Sequence, residues 1–167
     1  EVDEADWDRS MAVNVKGPFF GIQASAPLLR ASGGGSIVNI TSIGGRSCYP
    51  GRRAYGVTKA ALENLTLQAA VELGPWDIRV NSISPGWFRT PMTEFAYSQP
   101  EEAERRSAIV PLQRIGDVQD IARLAVFLGS DDSEYISGTS IEIDGGLLAR
   151  SLKSTFELAR FRPLGGG

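Results

Sequence analysis

Three short apolar runs in the chain are separated by longer segments in which apolar residues recur at helical spacing. Residues 36–42 are β-branched and apolar, which predicts a buried strand, and residues 77–82 and 139–143 repeat this pattern. The helical spacing predicts one helix over residues 54–73 and another over residues 117–128, which begins at a capping aspartate. Strands that alternate with long helices are typical of a parallel α/β sheet.

The N-terminal segment predicts a long helix. Asp3 is a suitable N-cap, and apolar residues at roughly helical spacing occupy positions 7–29. We expect Pro18 to kink this helix, or to break it near residues 14–17, because proline has no backbone N–H. Three glycines at residues 33–35 end it.

Two further segments are predicted with less regular patterns. The charged stretch at residues 101–106 indicates a solvated helix face, and residues 149–167 indicate a tail.

The helix predicted over residues 54–73 must pack against the rest of the fold through one face. We expect this face at Ala60, Ala61, Leu65, Ala69 and Leu73.

Composition excludes several classes of function. The chain has 167 residues, enough for one domain, and 17 basic against 20 acidic residues give a net charge of −3. That balance offers no basic surface for nucleic acid, and no apolar run approaches the roughly 18 residues of a membrane span. With no histidine and one cysteine, His-dependent triads, an internal disulfide and a metal site are not expected. We expect neither nucleic acid nor membrane as partner.

The first residues are acidic and resemble neither a translation start nor a signal peptide. We therefore expect the sequence to begin inside a longer chain and the protein to be cytoplasmic.

One group of residues has the spacing of a proton-transfer site. Tyr55 and Lys59 are four residues apart on a predicted helix, which places both on one face. Ser42 ends a predicted strand, where open α/β sheets bind ligands. An ammonium beside a phenol favours the phenolate, so this pair suits proton exchange with an alcohol or ketone. The alternative is an exposed helix face, although the chance of the Tyr–Lys spacing together with a serine thirteen residues before the tyrosine is only about 0.007.

Five separated motifs occur in order: NVKG at 14–17, GSIVNITS at 35–42, YGVTKAA at 55–61, IRVNSISPG at 78–86 and ISGTSIEIDGG at 136–146. Together they resemble the short-chain dehydrogenase/reductase family, in its three-oxoacyl-reductase-like and polyol or sugar dehydrogenase-like branch. The resemblance covers residues 1–148, as the C-terminal catalytic portion of one domain. It implies a Rossmann-like parallel sheet with flanking helices, and homodimers or homotetramers built on the helices at about 7–31 and 54–73.

The resemblance also implies a role for each matching residue. Tyr55 would be the general acid/base, and Lys59 would assist it and hydrogen-bond the nicotinamide ribose. Ser42 would hold and polarise the oxygen of a small carbonyl or alcohol substrate. Asn14 would steady a water relay to the lysine, and its alternative interpretation is a polar residue at a helix break.

A second set of residues is expected beside the cofactor and substrate. By the same resemblance the segment with Pro85, Gly86, Phe88 and Thr90 contacts the nicotinamide carboxamide, although a Pro-Gly pair is also typical of a plain turn. Tyr49 and Trp87 are weaker candidates for a substrate pocket, for which plain packing is the alternative.

One family feature is not found. Neither the glycines at residues 33–35, which precede a strand, nor Gly44 and Gly45, which open the loop after Ser42, fit a dinucleotide-binding turn between a strand and a helix. The sequence is thus expected to lack the N-terminal dinucleotide-binding half. An NAD- or NADP-dependent oxidoreductase is the first hypothesis. The second is a non-catalytic fragment, or an interaction module that binds no cofactor.

Overall fold

A parallel sheet of three strands, in the order β1-β2-β3, lies between helices in the computed structural model, which describes residues 2–47, 53–91 and 93–149. The strands are β1 (Gly35–Ile40), β2 (Ile78–Pro85) and β3 (Ser140–Ile143). The helices are α1 (Glu4–Met11), α2 (Gly17–Ala31), α3 (Arg53–Leu73), α4 (Pro100–Ile109) and α5 (Val118–Gly129). The predicted α/β fold with a parallel sheet and flanking helices is confirmed.

The central strand β2 is the most deeply buried element. Because successive side chains of a strand point to opposite faces, β2 contacts both helical layers. Val80 packs in the core with Ile22 and Ala26 of α2, whereas the neighbouring Arg79 donates to the carbonyl of Leu128 in α5 at 3.0 Å. Helices α2 and α3 therefore cover one face of the sheet, and α5 covers the other.

Strand β1 lies at one edge of the sheet. It pairs in parallel with β2, from Gly35 opposite Ile78 to Ile40 opposite Ile83. Its other edge has no strand partner within the described part of the chain, and Ile40 is 44% exposed. An open edge with apolar side chains favours pairing with a further strand.

The N-terminal helix changes its hydrogen-bond pattern close to the predicted kink or break. Between α1 and α2 the backbone widens into a π-helical turn, Ala12–Lys16, in which the N–H of Gly17 bonds to the carbonyl of Ala12. The reason lies at Pro18, which cannot donate to the carbonyl of Asn14 four residues earlier. The chain accommodates this missing bond with a wider turn, and the helical segment continues from α1 through this turn into α2.

The packing face of α3 differs in part from its prediction. Ala69 and Leu73 are buried as expected, but Ala60 is exposed, and Thr58 and Thr66 are fully buried instead. These two polar residues fit in buried positions because each hydroxyl has hydrogen-bond partners. Asn39 of β1 donates to the hydroxyl of Thr66 at 3.0 Å.

The remaining helices agree with their patterns. Helix α5 begins at the N-cap Asp117, whose side chain accepts from the N–H of Gln119. Helix α4 has no buried residue, as its charged sequence predicts. Along the described residues, no helix has the length and apolarity needed to cross a membrane. Residues 150–167, most of the predicted tail, lie outside the described part of the chain.

Candidate active site

The candidate site lies where the strands end. In a parallel sheet the carboxyl ends of neighbouring strands meet at one edge, so the residues that follow β1 and β2 lie near one another. Ser42 follows β1, and Gly86 follows β2, where its N–H bonds to the carbonyl of Ile143 at 2.9 Å. The sequence predicts the ligand site at this carboxyl end of the strands.

Ser42 is buried, with 8% of its surface exposed, and it begins a short 3-10 turn, Ile43–Gly45. Its hydroxyl oxygen accepts from the N–H of Gly44 at 3.0 Å, which fixes the side chain. A serine hydroxyl also has one proton to donate, so Ser42 can hydrogen-bond the oxygen of a bound molecule.

Gly45 lets this turn lie directly on α3. A Cβ at this position would be 2.8 Å from the backbone nitrogen of Ala60 and 3.0 Å from the carbonyl carbon of Lys59. Only glycine allows so close an approach without displacement of the backbone. The turn that holds Ser42 is thereby placed against the part of α3 that carries Lys59.

Tyr55 and Lys59 lie together on the first two turns of α3. Lys59 is half-buried, its Nζ is 5.7 Å from the centre of the Tyr55 ring, and it donates to the carbonyl of Ile40 at the end of β1 at 2.8 Å. Burial lowers the pKa of the Lys59 ammonium from its ordinary value. Tyr55 is 37% exposed, so its side chain is accessible to a ligand.

Asn14 reaches the same helix from the π-helical turn. Its side-chain amide donates to the hydroxyl of Thr58 at 3.2 Å, and that hydroxyl donates to the carbonyl of Tyr55 at 2.8 Å. Asn14, Tyr55 and Lys59 are thus joined through the first turns of α3. π-Helical turns inside α-helices are frequent at functional sites, and this one contains Asn14.

A charged cluster beside the site is a feature that the sequence does not predict. Arg46, at the end of the Ser42 turn, forms ion pairs with Glu63 of α3 and Glu142 of β3. The two carboxylates raise the pKa of the Arg46 guanidinium. The three residues are distant along the chain, and no local pattern links them.

The segment after β2 is fixed by contacts on both sides. A Cβ at Gly86 would be 2.6 Å from the Cβ of Asp144, so this turn packs closely against the end of β3. Phe88 is buried and bridges to Gly116, and the backbone N–H of Thr90 donates to the hydroxyl of Thr93 at 2.9 Å. These contacts make it an ordered segment at the strand ends.

Of the two weaker candidates for a substrate pocket, Trp87 lies in the described part of the chain and Tyr49 does not. Trp87 is half-buried, and the guanidinium of Arg106 lies 5.6 Å from the centre of its ring, which covers one face of the indole. Tyr49 lies outside the described residues.

No group of acidic or cysteine side chains that would hold a metal occurs in the part of the chain that the structure describes.

The glycines at residues 33–35 and Gly45 do not form a cradle for the phosphates of a dinucleotide. Gly33 and Gly34 lie between α2 and β1, and Gly35 is the first residue of β1, so all three are at the amino end of the sheet, opposite to the candidate site. Gly34 is packed there, because a Cβ would lie 2.5 Å from the carbonyl oxygen of Asp77. Gly45 is packed against α3 as described above. These glycines therefore do not fit the pyrophosphate of a dinucleotide.

The fold and the grouped Ser, Tyr and Lys define a Rossmann-like α/β protein with a candidate site at the carboxyl ends of its strands. The sequence profile described as Enoyl-(Acyl carrier protein) reductase matches residues 1–148. The chain belongs to the short-chain dehydrogenase/reductase family, as its motifs predict.

Relatives with established names support this assignment. A (3R)-3-hydroxyacyl-CoA dehydrogenase from Rattus norvegicus is 47% identical over 148 residues, which are 87% of this chain and 56% of the relative. A 2-(R)-hydroxypropyl-CoM dehydrogenase from Xanthobacter autotrophicus is 38% identical over 143 residues, 86% of this chain and 57% of the relative. The chain thus spans little more than half the length of these relatives.

Solved structures have the same fold. A gluconate 5-dehydrogenase from Burkholderia cenocepacia, crystallised with NADP and tartrate, superposes with a TM-score of 0.83 at 30% identity, over 89% of this chain and 58% of that one. A short-chain type dehydrogenase/reductase from Mycobacterium ulcerans gives a TM-score of 0.84 at 38% identity, over 89% and 54%.

Proposed function

We propose that residues 1–148 form the proton-transfer and substrate-binding portion of an NAD- or NADP-dependent oxidoreductase. It would move a hydride between nicotinamide and a small carbonyl or secondary alcohol. The observation that supports this most directly is the Lys59 ammonium 5.7 Å from the centre of the Tyr55 ring, at the strand ends where α/β folds bind ligands. Bound nicotinamide would supply the hydride chemistry, and the protein would supply position and electrostatics.

Tyr55 is proposed to exchange the proton. Carbonyl reduction adds a proton to the substrate oxygen, and alcohol oxidation removes it, so a group with a transferable proton must touch that oxygen. The phenol is accessible, and the Lys59 ammonium stabilises the phenolate that forms when the proton leaves. Lys59 is fixed for this task by its bond to the carbonyl of Ile40.

Ser42 and Asn14 are proposed to assist. The Ser42 hydroxyl, oriented by the N–H of Gly44, would donate to the substrate oxygen and stabilise developing negative charge there. Asn14 would hold the first turns of α3 through Thr58 and steady a water that leads toward Lys59.

The cofactor's nicotinamide end is proposed to lie against the segment after β2. Pro85, Gly86, Phe88 and Thr90 belong to this segment, which follows a buried central strand and is ordered by its bonds to Thr93 and Gly116. Backbone groups there would hydrogen-bond the carboxamide. The NADP present in the Burkholderia relative supports a dinucleotide cofactor for this chain.

Turnover tests this proposal. The chain is supplied with millimolar NADH or NADPH and a panel of small ketones, and with NAD⁺ or NADP⁺ and the matching alcohols. We expect turnover in the parent chain and a loss of about 10²-fold or more in Tyr55→Phe, which removes the proton but keeps the ring. Tyr135→Phe, a fully exposed tyrosine that precedes β3, is the control.

Full turnover in a folded Tyr55→Phe variant would contradict the role of Tyr55. No turnover by the parent with any cofactor would favour the second candidate function, an interaction module.

The observation in favour of that second candidate is an exposed apolar surface on α2 and α3. Phe20 and Leu28 of α2 are 52% and 72% exposed, and Val71 of α3 is 78% exposed. A groove of about 850 Å³ lies between the two helices. We propose that a second copy of the chain covers this surface, as the family resemblance implies, and such a homo-oligomer is compatible with either function.

A further inference from the structure

Arg46 joins three elements around the candidate site. It lies at the end of the turn that begins with Ser42, and its guanidinium pairs with Glu63 on α3 and Glu142 on β3. The Glu63 side chain is only 14% exposed, and the side chains of Arg46 and Glu142 are 40% and 38% exposed. Arginine suits this position because its planar guanidinium offers several donors in a fixed fork, which can hold two carboxylates at once.

Glu63 lies four residues, about one helical turn, beyond Lys59 on α3. Side chains four residues apart on a helix are neighbours, and opposite charges at this spacing attract. A Glu63 carboxylate without another partner would therefore draw the Lys59 ammonium along the helix. In the structure the ammonium is directed elsewhere, to the carbonyl of Ile40 and toward the ring of Tyr55.

We propose that Arg46 is a positioning residue, which holds the Glu63 carboxylate away from Lys59 and so keeps the ammonium beside Tyr55. The proposal rests on the proposed function, in which Lys59 assists Tyr55. Glu142 contributes by fixing the far side of the guanidinium, so that Arg46 stays over α3. The lowered pKa of Lys59, which burial causes, agrees with an ammonium that is not paired with a nearby carboxylate.

The test is a pH titration of Lys59 followed by NMR of ¹³C-labelled lysine side chains in the full chain, with no cofactor or substrate present. The sequence contains only Lys16, Lys59 and Lys153, and Lys59→Gln assigns the signal. In Arg46→Met the released carboxylate should raise the pKa of Lys59 by about one pH unit. Adding Glu63→Gln to that variant should return the titration to the parent value, since the interfering charge is gone.

Controls separate this effect from a general loss of packing. Arg9→Met removes an exposed arginine that lies 3.8 Å from the Asp6 carboxylate on α1, and it should leave Lys59 unchanged. Glu63→Gln alone should not raise the pKa of Lys59, because it removes a negative charge and leaves Arg46 paired with Glu142. If Arg46→Met does not fold, as judged by circular dichroism, Arg46→Gln replaces it, since glutamine keeps polar contacts without the charge.

Three results would overturn the proposal. The first is an unchanged Lys59 titration in a folded Arg46 variant, and the second is a raised titration that persists after Glu63→Gln is added. The third is a rise of the Lys59 pKa in Glu63→Gln alone, which would mean that the Glu63 carboxylate is not the charge that Arg46 holds away from Lys59. None of these measurements needs turnover, so a failure of the proposed oxidoreductase function would be recognised separately, by an inactive parent chain or an active Tyr55→Phe variant.

Discussion

Asn14 donates its side-chain amide to the hydroxyl of Thr58, 44 residues further along the chain, at 3.2 Å. The same pair of residue types occurs once more on α3, where Asn39 donates to Thr66 at 3.0 Å. The first bond joins the π-helical turn to the helix of Tyr55, and the second joins β1 to the same helix two turns further on. The two bonds are chemically alike and differ in their distance from the candidate site.

This likeness allows a matched experiment on Asn14. We expect Asn14→Ala and Asn39→Ala each to lower the free energy of unfolding by about 0.5–1.5 kcal/mol, because each loses one hydrogen bond. Only Asn14→Ala should also lower turnover beyond its effect on stability. Urea unfolding and initial rates, measured on both variants, give the comparison. Equal effects on turnover would assign Asn14 a purely structural role.

The close approach of Gly45 to α3 gives a second prediction. Gly45→Ala places a methyl group 2.8 Å from the nitrogen of Ala60, so we expect a loss of about 1–3 kcal/mol in the free energy of unfolding. Gly21→Ala is the control, because its methyl group would have no atom within 4 Å and alanine favours a helix by about 0.5–1 kcal/mol. Thermal unfolding should therefore shift in opposite directions for the two variants.

Association through α2 and α3 is the third prediction. Light scattering at tens of micromolar should show a dimer or tetramer, because the exposed apolar surface of these helices is of the kind that stable homo-oligomers bury. Val71→Glu should shift the distribution toward monomer. Tyr135→Glu changes a fully exposed residue on another part of the surface and should not. A monomeric parent chain would contradict the prediction.

The fourth prediction concerns acid stability. Arg114 donates to both carboxylate oxygens of Asp120, at 2.7 and 3.1 Å, and these bonds lower the pKa of Asp120 to about 2. An unfolded aspartate takes up its proton at a pH of about 3.9, so the stabilisation is complete above that value and is lost as the pH falls toward the folded-state pKa. Asp120→Asn should lower the urea midpoint at pH 7, and the difference from the parent should shrink by pH 3.

Asp8→Asn, on an exposed face of α1, is the control for this acid effect. A difference between Asp120→Asn and the parent that stays constant from pH 7 to pH 3 would exclude the ion pair as its cause.

Weak cofactor binding is the fifth prediction. The residues that we propose for a dinucleotide contact only its nicotinamide end, and phosphate contacts at a helix N-terminus usually supply much of the affinity. We expect calorimetry on the 167-residue chain to give dissociation constants no tighter than about 1 mM for NADH and NADPH. A micromolar constant for either cofactor would show that the described residues bind more of the cofactor than we infer.

The sequence predicts the fold well where local rules dominate. The predicted helix over residues 117–128 agrees with α5 because Asp117 is a strong N-cap, and α3 begins and ends within one residue of its prediction. Strand β2 extends beyond its predicted end to Pro85, because pairing with β3 continues to Ile143. That extension depends on a distant strand, which a local pattern does not contain.

The same distinction applies to the candidate site. The Tyr55 and Lys59 pair follows from helical spacing alone, and the structure places both side chains on one face. Arg46 is not predicted as a site residue, because its two carboxylate partners come from a later helix and from the last strand. The contact of Asn14 with Thr58 is not predicted either, since it depends on how α1 and α2 lie against α3.

The π-helical turn between α1 and α2 amounts to one extra residue inserted into a helix. Removing a single residue from Ala12–Lys16 would restore ordinary helical register, and everything before it would rotate by about 100° about the helix axis. The face of α1 that now contacts α3 would then turn away from it. The number of residues in this segment therefore determines which face of α1 contacts α3. A one-residue deletion should be tolerated less well than most substitutions there.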